Sequence, residues 1–257
     1  MNVFVYRPGA IGDTVLTLPA LAVLRSRFPG CSITYAGNTA MLPLLPVDEA
    51  LSADDQRLLP LFREQPEAWP GADQHVILAK QPQGLPGIQR DPLEAIPRGM
   101  HMADWLVDAI DPAFESRMPS LEVKRSEGAP LVIHPGAGGP AKRWPAERFA
   151  ELAEKLGREL AVIQGPADEP FGAREPHSIW RDLPLPELAA RLRGSGMFVG
   201  NDSGITHLAA AVGIPTLGLY VNSDPAIWGI RGPHTRRLTG DVQVAQALEC
   251  CRELLRL

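Results

Sequence analysis

The chain has 257 residues, which is enough for one large domain or two modest ones. Hydrophobic residues make up 45% of it and charged residues 21%, as in an ordinary globular protein. Its net charge of −5 gives bulk nucleic-acid binding no electrostatic support, so no nucleic-acid partner is expected.

The cysteines and the apolar segments indicate the compartment. Cys31, Cys250 and Cys251 fit neither a metal-ligand spacing nor a secreted disulfide framework, which favours a reducing environment. The adjacent pair on the last predicted helix is expected to occupy a core and a flank position. Residues 1–10 lack the basic stretch and apolar run of a signal peptide. The longest apolar stretch, residues 207–221, contains a glycine and a proline and is too short to span a bilayer. We therefore expect a cytoplasmic protein with no transmembrane segment.

Short β-branched runs alternate with helical patterns along the chain, which predicts βαβ units and a mainly parallel sheet. A proline inside the first helix is expected to kink or restart it. Residues 48–99 are rich in proline and carry no clear pattern beyond one strand. The predicted strands are residues 3–6, 32–36, 76–79, 131–134, 160–164, 197–200 and 215–220, and the predicted helices are residues 14–28, 103–110, one opened by Pro145, 186–193, 205–212 and 242–255.

The arrangement of a strand, a glycine loop and a helix occurs twice, starting at Val3 and again at Leu131. Each start is typical of a Rossmann-like domain. The sequence therefore predicts an α/β protein with two such domains, residues 1–125 and 130–257, joined by a linker near residues 122–130.

The first chemically informative segment is RPGAIGDTVLTLPAL, residues 7–21. Gly9 and Gly12 follow the first predicted strand and would let the backbone approach a ligand closely. Asp13 lies where ligands of open α/β sheets bind, and its carboxylate could accept a proton from an attacking hydroxyl. Alternatively, Asp13 caps the following helix, and the two roles can coexist. The glycine spacing does not fit a dinucleotide fingerprint, which disfavours a nicotinamide dehydrogenase.

The second segment is HPGAGGPAKRWP, residues 134–145. A glycine-rich turn that contains Gly136, Ala137 and Gly138 offers backbone N–H groups to an anion, and Lys142 adds a positive charge. Because no Ser or Thr follows Lys142, the segment is not a Walker loop. In the alternative interpretation Lys142 and Arg143 are a solvated pair of charges and Trp144 fills the core.

The third segment is GNDSGITHLAAAVGIP, residues 200–215. A strand followed by Asp-Ser-Gly and a helix N-terminus makes a second anion site with free amides, including that of Gly204. The acidic Asp202 suits a sugar or ribose hydroxyl better than a phosphate. Ser203 is an ordinary helix cap in the alternative view, and His207 either packs in the core or donates to a phosphate oxygen.

Together, in this order, the three segments resemble glycosyltransferase family 9, the heptosyltransferase family of lipopolysaccharide core assembly. The resemblance covers residues 1–40 and nearly all of 130–230. It implies a GT-B-like architecture, in which two Rossmann-like domains face each other across a cleft and the C-terminal one binds the donor. It also implies inverting catalysis with no metal and no cofactor, from a nucleoside-diphosphate sugar for which ADP-linked heptose is expected.

Carried over residue by residue, the resemblance makes Asp13 the catalytic base. Ala137, Gly138 and Lys142 would hold the diphosphate, beside Gly136 in the same turn. The donor's sugar and phosphates would be contacted by Asp202, Ser203, Gly204 and His207. The segment QGPADE, residues 164–169, resembles the family's turn beside the nucleoside, and either acid in it could touch the ribose.

Two departures from the family pattern concern the ligands. Ala137 and Gly138 stand where hydroxyl side chains are frequent in the family, so phosphate contacts are expected from backbone N–H groups. The N-terminal domain is shortened, Pro-rich and net acidic, so it shows no obvious cradle for the expected acceptor, a saccharide or glycolipid. Such an acceptor could bring transient association with the inner membrane surface. Alternatives are a GT-B relative that uses a UDP-hexose and a nucleotide-sugar-binding protein without turnover.

Overall fold

The computed structural model describes residues 1–80, 86–92, 94, 96–115, 117–118, 129–166, 168–173 and 175–256. The chain separates into two compact units, Met1–Pro119 and Ser120–Leu257. Most of the predicted linker, residues 122–130, lies outside the described residues. Each unit is built on its own parallel sheet.

The first unit contains a five-stranded sheet in the order β3-β2-β1-β4-β5. All of its strand pairs are parallel, and β1 lies between β2 and β4, with Val3 opposite both Ile33 and Gln74. The order reverses between β1 and β4, so the carboxyl ends of these two strands border the crevice in which open α/β sheets bind ligands. The strands are β1 (Asn2–Arg7), β2 (Ser32–Gly37), β3 (Glu49–Ser52), β4 (Gln74–Ile77) and β5 (Ile88–Gln89).

Two α-helices, α1 (Ile11–Arg27) and α2 (Met102–Asp108), pack against each other in this unit. Short 3-10 helices, Leu42–Leu44 and Gln56–Phe62, occupy the connections from β2 to β3 and from β3 to β4. The helix α1 begins a few residues before the predicted start near residue 14, and the alternative in which Pro19 restarts the helix is wrong. The helix starts at Ile11 and is assigned without a break through Pro19. Burial of its apolar face compensates for the one backbone hydrogen bond that proline removes.

The second unit contains a six-stranded, all-parallel sheet in the order β11-β10-β9-β6-β7-β8. This is the doubly wound order of a dinucleotide-binding fold, and it reverses between β6 and β9. The strands are β6 (Leu131–His134), β7 (Leu160–Gln164), β8 (Ser178–Arg181), β9 (Met197–Asn201), β10 (Thr216–Tyr220) and β11 (Thr235–Thr239). The helices are α3 (Ala146–Leu156), α4 (Leu185–Arg193), α5 (Gly204–Ala211), α6 (Pro225–Trp228) and α7 (Val244–Arg256), and Pro140–Lys142 forms a 3-10 turn.

The core of the second unit lies between the sheet and the packed pair α3 and α7. Phe149 and Leu152 of α3 and Leu254 of α7 are fully buried there. Cys251 is buried and Cys250 is partly exposed, which confirms the predicted core and flank positions on this helix. Within the described part of the chain, no helix is both long and apolar enough to cross a membrane.

Four strands, β3, β5, β8 and β11, are absent from the set that the sequence predicts. All four are edge strands: β3 and β5 lie at the two edges of the first sheet, and β8 and β11 lie at the two edges of the second. They are short and largely polar on their exposed positions; β11, for example, is Thr-Arg-Arg-Leu-Thr with no buried residue. An edge strand pairs with a neighbouring strand along one edge only, and these four bury few residues. Their sequences therefore lack the apolar pattern from which a strand is predicted.

Candidate functional site

Asp13 lies at the carboxyl end of β1 in a fixed orientation. Its Oδ1 accepts a hydrogen bond from the Arg7 guanidinium at 2.9 Å, and its Oδ2 accepts from the backbone N–H of Ala10 at 2.9 Å. The Arg7 side chain is only 6% exposed, whereas that of Asp13 is 32% exposed. The buried Arg7 guanidinium thus fixes the Asp13 carboxylate, which remains partly exposed to solvent.

Asp13 supports the start of α1 without being its N-cap. Ala10, not Asp13, is the N-cap of α1, and Asp13 occupies the third helical position and accepts the N-cap amide with its side chain. Gly9 has a φ of +140°, and a Cβ there would come within 2.8 Å of the Asp13 carboxylate. Gly12 lies in the first turn of the same helix. The two glycines therefore flank the carboxylate in the chain, and Gly9 is required for its close approach to the loop.

In the second unit, side chains of the loop that follows β6 contact the loops that follow β7 and β9. Lys142 Nζ donates to Asp202 Oδ2 at 2.7 Å, and the next residue, Arg143, donates to Glu169 Oε1 at 3.0 Å. Lys142 is 41% exposed and Asp202 is 8% exposed, so this cation is accessible although it is paired.

Trp144 anchors this turn to the core. It is 2% exposed, and its indole N–H donates to the carbonyl of Val242 at 2.8 Å. Its backbone N–H donates to Asn201 Oδ1 at 2.9 Å, and the Asn201 amide in turn donates to the carbonyl of Pro135 at 2.7 Å. Trp144 does fill the core, as one interpretation of the sequence expects, and in doing so it fixes the Lys142 turn beside the end of β9.

The N-terminus of α5 forms the second part of the candidate site, beside the loop that carries Lys142. Ser203 is the N-cap, and its hydroxyl accepts from the backbone N–H of Thr206 at 3.4 Å. Gly204 is the first helical residue, and His207, four positions after the cap, is 5% exposed. Because Asp202 and Ser203 directly follow β9, the structure brings them to the same sheet edge as Gly136, Ala137 and Gly138, which follow β6.

His134, the last residue of β6, contacts both the N-terminus of α5 and the loop that follows β7. Its Nδ1 lies 3.1 Å from Ser203 Oγ, and its Nε2 lies 3.0 Å from Asp168 Oδ2. The same Asp168 oxygen accepts from the backbone N–H of Gly165 at 2.7 Å. The hydrogen bond from His134, with a smaller contribution from Gly165, lowers the pKa of Asp168 although burial opposes this. Asp168 is therefore an ionised carboxylate held inside the site.

The glycine loop is shaped by this carboxylate. A Cβ on Gly136 would fall 2.0 Å from Asp168 Oδ1, whereas a Cβ on Gly138 or Gly139 would meet nothing within 4 Å. A cavity of about 220 Å³ opens beside Gly136 and Asp168. Its other lining residues are Pro135, Arg143, Trp144, Pro145, Ala146, Glu169, Pro170 and Phe171. Apolar and charged side chains both line this cavity, as in small-molecule sites.

Sequence reasoning missed three residues of this network. His134 stands inside a quoted motif without an assigned role, Asn201 lies in a motif without being singled out, and Asp168 is not distinguished from Glu169. Asp168 turns inward and is 13% exposed, whereas Glu169 is 84% exposed. Among the described residues, no group of three or more His, Cys, Asp and Glu side chains could hold a metal ion.

A comparison with protein families agrees with this geometry. Residues 108–254, more than half of the chain, match the glycosyltransferase family 9 (heptosyltransferase) family. The chain belongs to glycosyltransferase family 9. This confirms the family expected from the three segments, two of which lie within the matched residues.

Curated relatives of this family 9 member are heptosyltransferases. Lipooligosaccharide heptosyltransferase 2 of Haemophilus influenzae is 36% identical over 106 residues, covering 35% of this chain and 31% of the relative. Lipopolysaccharide heptosyltransferase 1 of Pseudomonas aeruginosa is 33% identical over 132 residues, covering 48% and 37%. The matched part of the chain thus spans well under two thirds of the length of these relatives.

The fold of this family 9 protein also matches a solved relative. The structure of Escherichia coli ADP-heptose lipopolysaccharide heptosyltransferase II is similar with a TM-score of 0.79 at 21% identity, over 100% of this chain and 99% of the other. At that identity the likeness shows the fold alone. It confirms the predicted α/β, GT-B-like class with two Rossmann-like domains.

Proposed function

We propose that this chain is an inverting, metal-independent glycosyltransferase that moves a heptose from an ADP-linked donor to a saccharide or glycolipid acceptor of the cell envelope. The proposal rests on its family membership and on the names of its relatives. The single observation that carries it is the meeting of the glycine loop, Lys142 and the N-terminus of α5 at the crevice between β6 and β9. Ligands of doubly wound sheets bind at this position.

The donor's diphosphate fits the second unit because that site offers positive charge and amides at one edge. Lys142 is an accessible cation whose partner, Asp202, directly precedes Ser203 and Gly204. The first N–H groups of α5 have no intrahelical acceptor and carry the positive end of the helix dipole. Departure of the nucleoside diphosphate develops negative charge on its terminal phosphate. Groups fixed in advance around that charge lower the barrier to transfer.

The acceptor hydroxyl needs a base, and Asp13 is suited to that role. Its carboxylate is partly exposed at the crevice of the first sheet and is held by Arg7 and the Ala10 amide. An oriented carboxylate can take the proton as the oxygen attacks the anomeric carbon. Single displacement at that carbon, with the diphosphate leaving from the opposite face, inverts its configuration.

The surroundings of the reaction follow from this chemistry. Lys142 and the helix amides would supply the stabilisation that a metal ion gives in other transferases, so no metal and no cofactor is required. We propose a cytoplasmic site of action, where nucleotide sugars are available, with the acceptor reached at the inner membrane surface. A UDP-hexose donor and nucleotide-sugar binding without turnover are the competing functions.

The test combines binding with turnover. A thermal-shift panel of ADP, UDP, GDP and their sugars comes first, since a ligand at 100 times its Kd should add about 2.7 kcal/mol of stability. ADP-heptose is then incubated with a heptose-accepting lipopolysaccharide core saccharide in excess EDTA, and the product's anomeric configuration is determined by NMR. We expect an ADP-selective shift and an inverted product. A shift with UDP-hexoses alone, turnover lost in EDTA, or binding without turnover would each overturn a named part of the proposal.

A further inference from the structure

His134 is a buried basic side chain to which the proposed reaction gives no role. Its ring is 7% exposed, and both of its nitrogens are engaged, one by Ser203 and the other by Asp168. These partners come from different loops, Asp168 after β7 and Ser203 after β9, while His134 itself ends β6. One ring therefore ties together the three loops that form the crevice.

The charges around the cavity give a reason for the contact between His134 and Asp168. Asp168 and Glu169 are acidic lining residues, and Arg143 is the basic one. Arg143 is paired with Glu169, so the charge left to be balanced is that of Asp168. An ionised carboxylate beside Gly136 would repel a diphosphate that approaches the same glycine loop, and the repulsion is strong where water is excluded.

The hydrogen-bond directions show how the His134 ring offsets the negative charge of Asp168. Because the Asp168 carboxylate can only accept, His134 Nε2 carries a proton and donates to it. Nδ1 then accepts the Ser203 hydroxyl proton or, on a ring with two protons, donates to the Ser203 oxygen. In either state the Asp168 oxygen is covered by two donors, the ring and the Gly165 amide, and the Ser203 oxygen is held at the head of α5.

We propose that His134 is a positioning residue of the donor site, which screens the Asp168 carboxylate from the diphosphate and holds the Ser203 hydroxyl at the N-terminus of α5. The inference rests on the proposed function, because it takes the diphosphate to lie along the glycine loop and α5. It assigns opposite electrostatic effects to two neighbours: His134 favours the anion, and Asp168 without His134 opposes it.

The test is a charge-removal rescue. Dissociation constants for ADP and for adenosine are measured by calorimetry for wild type, His134→Gln, Asp168→Asn and the double variant. The ratio of the adenosine constant to the ADP constant reports the diphosphate's contribution. We expect His134→Gln to lower the diphosphate's contribution about tenfold, which corresponds to about 1.4 kcal/mol. Adding Asp168→Asn should restore most of it, since the uncovered charge is then gone.

A purely structural role predicts a different pattern. Loss of packing would weaken ADP and adenosine together, and the second substitution would leave the ratio unchanged or lower it further. His177→Gln is the control, because the His177 ring also makes a hydrogen bond within this unit, accepting the backbone N–H of Leu160 at 3.0 Å, but does not contact Asp168 or Ser203. Melting temperatures identify any variant that fails to fold. Asp168→Asn alone still tests the sign, because its adenosine-to-ADP ratio of dissociation constants should not fall.

The outcomes separate this inference from the proposed function. Wild type that binds none of ADP, UDP or GDP would overturn the donor site itself. Wild type that binds ADP, together with a His134→Gln variant whose diphosphate contribution is unchanged, would overturn the role of His134 and leave the donor site standing. A double variant weaker for ADP than His134→Gln alone would do the same.

Discussion

The two units place a basic side chain at the same point of the same topology and use it differently. Arg7 ends β1 and His134 ends β6, the first strand of each sheet, and each holds a carboxylate. The carboxylate on Arg7, that of Asp13, stays 32% exposed, whereas the carboxylate on His134, that of Asp168, is 13% exposed. In the functions that we propose, the more exposed acid acts as the base, and the other is covered so that an anion can bind.

The difference shows that chemical type alone does not assign a carboxylate its role. Asp13 is held by contacts from its own loop, through Arg7 and Ala10. Asp168 is held by His134 from another segment as well as by its own turn, and glycine is required at position 136 to leave room for it. We therefore expect substitutions of Asp13 to change turnover and substitutions of Asp168 to change nucleotide binding.

The largest expected effect is on turnover, in Asp13→Asn. Asparagine retains the side-chain oxygen that the Ala10 amide needs but cannot act as the base, so kcat should fall about 100-fold or more. Donor affinity should change little, because the second unit holds the nucleotide. Some stability should be lost, because asparagine has one acceptor oxygen where Asp13 uses two, for Arg7 and for the Ala10 amide. Steady-state transfer assays with ADP-heptose and calorimetric ADP binding measure the two quantities.

Asp13→Ala provides the control for the helix-capping role. It also removes the acceptor for the N-cap amide, so it should additionally lose about 1 kcal/mol of stability. An Asn variant with wild-type kcat would show that Asp13 only caps α1 and pairs with Arg7.

A steric test of the covered acid compares two glycines of one loop. Gly136→Ala places a Cβ 2.0 Å from Asp168 Oδ1, so the carboxylate must leave His134 or the loop must shift. We expect a loss of about 1–3 kcal/mol in stability, with weaker ADP binding. Gly139→Ala meets nothing within 4 Å at an extended backbone and should be nearly silent. Equal effects of the two changes, in urea unfolding and ADP titration, would contradict the arrangement of the glycine loop.

The next prediction concerns the positive charge of Lys142, which is paired with Asp202. Lys142→Ala removes positive charge and leaves Asp202, only 8% exposed, without this partner. ADP affinity should fall about tenfold while adenosine affinity barely changes, because the lost contact is a charge-assisted one to phosphate. Lys155→Ala, which breaks the exposed pair with Glu151 in the same unit, should leave both affinities unchanged. A loss of the same size for adenosine would mean that Lys142 only supports the turn.

The smallest expected effect is on acid stability. Because the pKa of Asp168 is lowered in the folded protein, its ionised form adds stability at pH values above the carboxyl's unfolded pKa of about 3.9. That stability is lost as the pH falls through the lowered value. The stability advantage of wild type over Asp168→Asn should therefore shrink below about pH 4 in urea titrations. Asp241→Asn, at an exposed pair, is the control; an advantage of Asp168 that stays constant down to about pH 2.5 would contradict the coupling.

Much of the fold was predictable because central strands and amphipathic helices carry their own pattern. The strands β1, β6 and β9 were found from buried β-branched runs, whereas the edge strands β3, β5, β8 and β11 were not. In the candidate site, local motifs identified Lys142, Asp202 and Ser203. The roles of His134 and Asp168 could not be read from the sequence, because they depend on contacts between residues 34 and 69 positions apart.

Hydrogen–deuterium exchange with and without saturating ADP tests the central claim, that the donor nucleotide binds at the carboxyl edge of the second sheet. We predict slower exchange in the backbone amides of residues 136–142 and 203–207, where the glycine loop and the α5 N-terminus would contact the diphosphate. Residues 9–14, which carry Asp13, should show no comparable change with ADP alone. Protection confined to residues 9–14, or absent from both segments of the second unit, would contradict this placement of the donor.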